Sequence, residues 1–312
     1  MVRQEDAPPT WRELGRWLRQ TVVADRRLYI PKAAPFSLRR VAGCVWPNLH
    51  RPIFILGAPR SGTTFLGACL AQLPELSYHF EPVATKAAAR YVYSGAWRAA
   101  TARFFYRQVY AWLMRLHADG HLRFAEKTPQ NCFVAPFLAE AFPDAQFIHI
   151  LRDGRDAALS YSKQPWLSAA AKDSGLREPG GYLFGPYPRF WVEAEREEEF
   201  RQTTDIQRCI WAWRRHVEAA LAGTRSLPAD RYWELRYESL AREPQRGATD
   251  LLRFLGIAAT PAHAPFEQAL GRARTDMIGQ WREELSAEQL RQIAQEAGPL
   301  LAQLGYTADT DR

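Results

Sequence analysis

The chain has 312 residues, 47% hydrophobic and 24% charged, which excludes a disordered or fibrous polypeptide. Lys and Arg number 41 against 34 Asp and Glu, a formal charge of +7. Only five of the basic residues are Lys; the rest are Arg, the side chain suited to bidentate contacts with phosphate and sulfate groups. Such an excess suits an anionic ligand, a nucleic acid or a membrane surface. Cys44, Cys69, Cys132 and Cys209 are far apart, with no CxxC and no His at metal spacing. That pattern predicts free thiols in a reducing compartment and no metal centre. The start, Met1–Thr10, is acidic and Pro-rich without an apolar core, so no signal peptide is read. No stretch approaches the roughly 18–20 apolar residues of a membrane span. The expectation is a cytoplasmic protein.

In chain order, Thr10-Trp11-Arg12-Glu13 is a capping box ahead of a helix. Trp11, Leu14, Leu18 and Val22 share one helical face, with Arg12, Arg16 and Arg19 between them. This helix is expected to pack on the body of the protein, with peripheral membrane contact as the alternative. A loop with Pro31, Pro35 and Pro47 follows. Pro52–Gly57 reads as a buried strand, Thr64–Leu73 as a helix, Leu76–Phe80 as a short strand and Ala87–His117 as one or two helices. Leu122–Ala125 is a weak strand and Ala145–Leu151 a stronger one, leading into a helix over Asp156–Lys163. Pro165–Glu199 is irregular, carries six aromatics and reads as a lid or binding loop. A capped helix begins at Thr204, Arg231–Tyr237 is a strand, Pro244 opens a helix that Gly256 stops, and Ser286 caps a final helix. Strands alternating with helices predict an α/β fold, a central parallel sheet with helices on both faces. The organisation expected is an N-terminal helix and extended lead-in over 1–50 and one domain over 51–312, with the lid at about 165–200.

Gly57-Ala58-Pro59-Arg60-Ser61-Gly62-Thr63-Thr64 joins the best strand to a helix. There backbone amides and a helix N-terminus converge on an anion. The frame is that of a Walker A loop, but Thr63 stands where that loop has its Lys. Arg60 instead puts a fixed cation inside the loop. These residues imply one phosphate-like group, not a triphosphate held through Mg²⁺.

The stretch GAPRSGTTFL resembles the 5′-phosphosulfate loop of sulfotransferases that use 3′-phosphoadenylyl sulfate (PAPS). Arg152 and Ser160, eight residues apart across Ile150–Ser160, resemble that family's 3′-phosphate site. Glu234–Leu240 is similar to its RYExL strand, whose Tyr, here Tyr237, approaches the nucleotide. Leu300–Tyr306 resembles its closing helix. The resemblance runs from about Pro52 to Tyr306 and favours the bacterial and tyrosylprotein branch. It implies a P-loop-type sheet, PAPS as co-substrate and its bisphosphate PAP as product. It also implies nucleotide contacts from Arg60, Ser61, Gly62, Thr63, Thr64, Arg152, Ser160 and Tyr237. One of Arg272, Arg274 and Arg282 is expected to close over the nucleotide.

Sulfuryl transfer needs a base for the acceptor hydroxyl and positive charge near the leaving oxygen. The cytosolic branch has a His after a Lys-Thr pair; here Lys127-Thr128 is followed by Pro129. The tyrosylprotein branch uses a Glu about twenty residues after its loop Arg. Glu81 lies 21 residues after Arg60 and is the expected base. His79 is the runner-up, because strand alternation would put 79 and 81 on one face. Glu126 is expected to pair with a nearby Arg. Lys127 resembles the family Lys that reaches the transferring group, and Arg60 supports the leaving phosphate. The acceptor is expected to be a hydroxyl on a small molecule, glycolipid or natural product, with a peptide or protein tyrosine as the alternative. A P-loop nucleotide kinase would need the Lys missing at Thr63. A nucleic-acid-binding protein would cluster its basic residues, which here are spread along the chain.

Overall fold

The computed structural model describes residues 9–32 and 37–306. The acidic, Pro-rich opening residues before Pro9, and Pro35, lie outside them. Five strands, β1 (Ile53–Leu56), β2 (Leu76–Phe80), β3 (Arg123–Lys127), β4 (Gln146–Leu151) and β5 (Tyr232–Arg236), form a single all-parallel sheet in the order β2-β3-β1-β4-β5. β1 and β4 are buried along their whole length; β1 is an unbroken apolar run, and β4 is apolar apart from Gln146 and His149.

Around the sheet lie α1 (Trp11–Leu28), α2 (Leu38–Val45), α3 (Thr63–Leu70), α4 (Val83–Tyr93), α5 (Ala99–Leu116), α6 (Asn131–Ala141), α7 (Gly154–Ser162) and α8 (Glu197–Gln202). They are followed by α9 (Asp205–Thr224), α10 (Tyr237–Arg242), α11 (Pro244–Leu255), α12 (Ala264–Leu270), α13 (Trp281–Glu284) and α14 (Ala287–Gln303). Side-chain alternation along the strands feeds two helical layers. Phe54, Leu56, Phe124, Phe147 and Leu151 meet Tyr110, Leu138, Trp213 and Ile293 on one side. Ile53, Ile55, Ala125, Ile148 and Leu235 meet Leu66, Leu70, Leu251 and Phe266 on the other. None of the helices among the described residues is long and apolar enough to cross a membrane.

The Thr10 capping box forms as read: Glu13 accepts from the Thr10 amide at 2.8 Å and donates its own amide to Thr10 Oγ1 at 3.3 Å. α1 packs on α4, α5 and β2. Its anchor is Trp17, buried in the main core, whereas Trp11 is 89% exposed. Three expectations differ. The Pro-rich lead-in contains α2, capped by Ser37, which the flanking prolines masked. The last strand stops at Arg236, and Tyr237 is the first residue of α10. The lid has only short 3₁₀ turns before α8, but its Phe190 and Trp191 are core residues packed on Phe133 and His216.

Candidate active site

The sheet order reverses at β1, whose neighbours are β3 and β4. In open α/β sheets that switch point, at the carboxyl ends of the strands, is where ligands bind. Residues 57–62 leave β1 there and turn into α3. Gly62 has φ +89°, and a Cβ on it would meet the Tyr237 ring at 2.7 Å, so a side chain is excluded twice over. Leu66 N–H is the first to reach back to Gly62 C=O, at 2.9 Å, which leaves the amides of the first turn of α3 for a ligand. Arg60, itself at φ +70°, turns outward and donates from Nε to Ser160 Oγ at 3.0 Å.

β4 ends beside this loop, with Arg152 just past it. Arg152 is buried; it donates to Arg60 C=O at 3.1 Å and to Met277 C=O, and its guanidinium lies 5.1 Å from the Tyr237 ring centre. Asp153 does not pair with it: that carboxylate caps α7 through Arg155 N–H and grips the Arg155 guanidinium. The nearest carboxylate to Arg152 is Asp156, at 3.9 Å. Arg60, Arg152, Ser160, Gly62 and Tyr237 therefore share one cleft. Within it, Ser61 Oγ and Arg152 Nε are buried without a hydrogen-bond partner. Buried polar atoms are rarely left so, and an anionic group in the cleft would satisfy both. Thr63 is buried and Thr64 exposed at the start of α3.

The segment after α12 reaches the cleft through its backbone. Tyr237 OH donates to Arg274 C=O at 3.1 Å, and Asp156 accepts from Gly279 N–H at 2.7 Å and Trp281 N–H at 3.1 Å. Arg274 itself pairs with Asp276 in solvent, and Arg282 stacks on Trp281 at 4.6 Å. This backbone strap carries no pattern that spacing could have announced.

On the other side of the loop, β3 places Lys127 beside β1 (Ile55 and Lys127 are register partners) and beside the end of β2. Glu81 follows β2 with φ +40° and bonds its amide to Lys127 C=O at 2.9 Å. Its carboxylate is held by two ammonium groups, Lys127 Nζ on Oε1 and Lys86 Nζ on Oε2 at 2.7 Å. Burial pushes the Glu81 carboxyl up, but Lys127 and Lys86 outweigh it and hold the pKa at about 2. Burial, together with the Lys86 ammonium, lowers Lys127 against the opposing pull of Glu81. Sequence reasoning missed Lys86 and, behind it, lid residue Glu178 at 3.8 Å. No spacing announced the pair: Lys86 and Lys127 flank Glu81 only once the chain is folded.

Two expectations fail here. His79 does not face the Glu81 cluster, because the positive φ at Glu81 ends the alternation. It is fully buried beneath α1, its Nδ1 2.9 Å from Asp25 Oδ1 and its Nε2 3.0 Å from Ser77 Oγ. His117 Nε2 meets the other Asp25 oxygen at 2.7 Å. Hydrogen bonding alone accounts for this trio, which no spacing in the sequence suggested. Glu126 pairs with no Arg; it is buried and accepts from Thr128 Oγ1 at 2.7 Å, Asn131 Nδ2 at 2.8 Å and Tyr110 OH. Burial raises its pKa.

A cavity of about 1170 Å³ lies between α1, α4 and the lid, and Glu178, 3.8 Å from Lys86 Nζ, is part of its wall. Among the described residues, Arg16, Arg19, Arg27, Arg90, Arg177 and Arg189 line it against Glu13 and Glu178, with Trp17, Tyr91, Tyr182 and Tyr187 among them. Tyr182 and Tyr187 thus do face a cavity, unlike Phe190 and Trp191.

The sulfotransferase family model matches residues 52–261. The chain is 24% identical over 287 residues to protein-tyrosine sulfotransferase 1 of Danio rerio, covering 81% of this chain and 72% of that protein. It is 27% identical over 187 residues to carbohydrate sulfotransferase 5 of Mus musculus, of which it spans only 44%, covering 55% of this chain. In fold it is similar to the sulfotransferase domain of the Synechococcus PCC 7002 olefin synthase, with a TM-score of 0.50 and 20% identity over 81% of this chain and 95% of that one. The chain belongs to the sulfotransferase family.

Proposed function

We propose that the protein transfers a sulfuryl group from PAPS to a hydroxyl acceptor by in-line displacement at sulfur. The observation that carries this reading is the cleft at the switch point, where Arg60, Arg152 and Ser160 converge around the unpartnered Ser61 Oγ and Arg152 Nε. When bound, PAPS supplies the sulfuryl group and a bisphosphate leaving group. Arg60, Ser61 and the first-turn amides of α3, from Gly62 to Thr64, hold its 5′ end. Arg152 and Ser160 hold the 3′-phosphate, and Tyr237 walls the nucleotide.

Glu81 takes the proton of the acceptor hydroxyl as that oxygen bonds to sulfur. A carboxylate held at about 2 by two ammonium groups is a weak base. Lys127 must therefore turn from Glu81 toward the transferred oxygens first, where its charge offsets what develops on the leaving group. Lys86, anchored between Glu81 and Glu178, keeps the carboxylate in place. The chemistry asks for no metal ion.

The acceptor enters through the cavity walled by Glu178. Its aromatic walls suit a small molecule, glycolipid or natural product carrying a hydroxyl. Its six Arg against two Glu favour a second reading, an acidic peptide bearing tyrosine. The four unpaired cysteines support a cytoplasmic setting. The test is incubation with PAPS and pools of hydroxylated metabolites or tyrosine peptides, read by mass spectrometry. A sulfate-ester product absent with ATP and Mg²⁺ supports the reading; phosphorylated products, or none from any pool, contradict it.

A further inference from the structure

A second surface lies outside the transfer chemistry. Residues 26–74 and 82–118 contain no Asp or Glu at all. They supply α2 and α5, which lie against each other: Arg115, near the end of α5, donates to Cys44 C=O at 3.1 Å and Val45 C=O at 2.9 Å, and Arg40 donates to Ala118 C=O at 3.2 Å. On α2, Leu38, Val41 and Val45 share one helical face that ends in Trp46, and they are 84%, 47%, 53% and 78% exposed. On α5, Phe104 and Trp112 lie two turns apart on one face and are 67% and 37% exposed. Arg39, Arg103 and Arg107 are exposed among them.

Exposed helix faces of water-soluble proteins mix both charge signs and avoid contiguous apolar side chains. Here the exposed apolar side chains of the two helices are accompanied, on those helices, by basic residues and no acidic ones. We propose that the α2–α5 face docks the protein on an anionic lipid bilayer. Leu38, Val45, Trp46 and Phe104 enter the headgroup boundary, and Arg39, Arg103 and Arg107 meet the lipid phosphates. Trp46 suits that boundary, with an apolar ring body and a polar N–H. Charge decides the occupant. A second copy pairing through this same patch would bring its arginines against their own images, which repel. A nucleic acid would meet the arginines but leave the apolar row in water. The proposal moves any membrane contact from α1, which is packed on the core through Trp17, to the helices beside it. It does not depend on the transfer reaction.

The test is co-sedimentation of the full chain with phosphatidylcholine vesicles, with and without about 30% phosphatidylglycerol. The expected result is binding to the anionic vesicles only, weakened as salt rises. Leu38→Asp with Trp46→Asp should weaken it about tenfold or more, and Arg39→Glu with Arg103→Glu likewise, with melting temperature unchanged because all four positions are exposed. Equal binding to both vesicle types, no binding, or binding that survives both pairs of substitutions would overturn the proposal. So would a dimer seen by light scattering that Trp46→Asp dissolves.

Discussion

Glu81 sits between Lys127 and Lys86, and its pKa of about 2 belongs to that resting arrangement. The kcat/KM profile reports groups of the free enzyme, so it should stay flat on its acid side from about pH 7 down to about pH 5. An acid limb near pH 6 would point to a histidine base instead. Glu81→Gln keeps the shape of the site and removes the proposed proton acceptor. Turnover should fall by about 10²–10⁴-fold, while stabilisation by adenosine 3′,5′-bisphosphate in a melting experiment stays. Undiminished turnover would remove Glu81 from the mechanism. Glu81 was legible because it stands at a family distance from Arg60. Its ammonium partners were not, since Lys86 reaches it from the next helix and Lys127 from the neighbouring strand. The exclusion of His79 was equally hidden: one positive φ reverses what strand alternation implies.

At the scale of elements, two joints hold the site. The first is the close approach of the β1–α3 loop to α10. Gly62→Ala would force a Cβ to 2.7 Å from the Tyr237 ring at a φ of +89°. It should cost about 1–3 kcal/mol, read as a lowered urea midpoint, and should weaken nucleotide binding as well; a neutral result would show that the loop has room to shift. The second joint is Asp25, which ties α1 to β2 and to the end of α5. Burial pushes its carboxyl up, but His79 and His117 more than offset that and leave it below the ordinary value. A lowered folded-state pKa stabilises the fold above the unfolded value of about 4, and that contribution is lost as pH falls through the folded pKa. Asp25→Ala leaves both imidazoles without their acceptor and should cost about 1–3 kcal/mol or more near neutral pH. Its penalty should shrink below about pH 4. A constant penalty across that range would deny the electrostatic tie. The major strands and α1, α3, α7, α9, α11 and α14 were legible from periodicity and caps. α2 was not, because an eight-residue helix between prolines offers barely two turns of pattern.

At the scale of the whole molecule, the strand order β2-β3-β1-β4-β5 puts the carboxyl ends of β3, β1 and β4 side by side. That order gathers Lys127, the Arg60 loop and Arg152 from positions up to 92 residues apart. The sequence marked each strand end separately, by a Gly-rich turn or a charged residue after an apolar run. Their adjacency is a property of topology, and so is the cavity that α1 closes against the lid.

On the proposed function, this cleft grips a nucleotide phosphorylated at both the 3′ and 5′ positions. Calorimetric titration of adenosine 3′,5′-bisphosphate and of adenosine 5′-monophosphate into the protein and its Arg152→Ala variant tests it most directly. The bisphosphate should bind the unaltered protein about 10–100-fold more tightly, as charge-assisted hydrogen bonds to one phosphate warrant, and the variant should lose most of that difference. Equal affinity for the two nucleotides in the unaltered protein, or a preference that survives the loss of Arg152, would contradict the account.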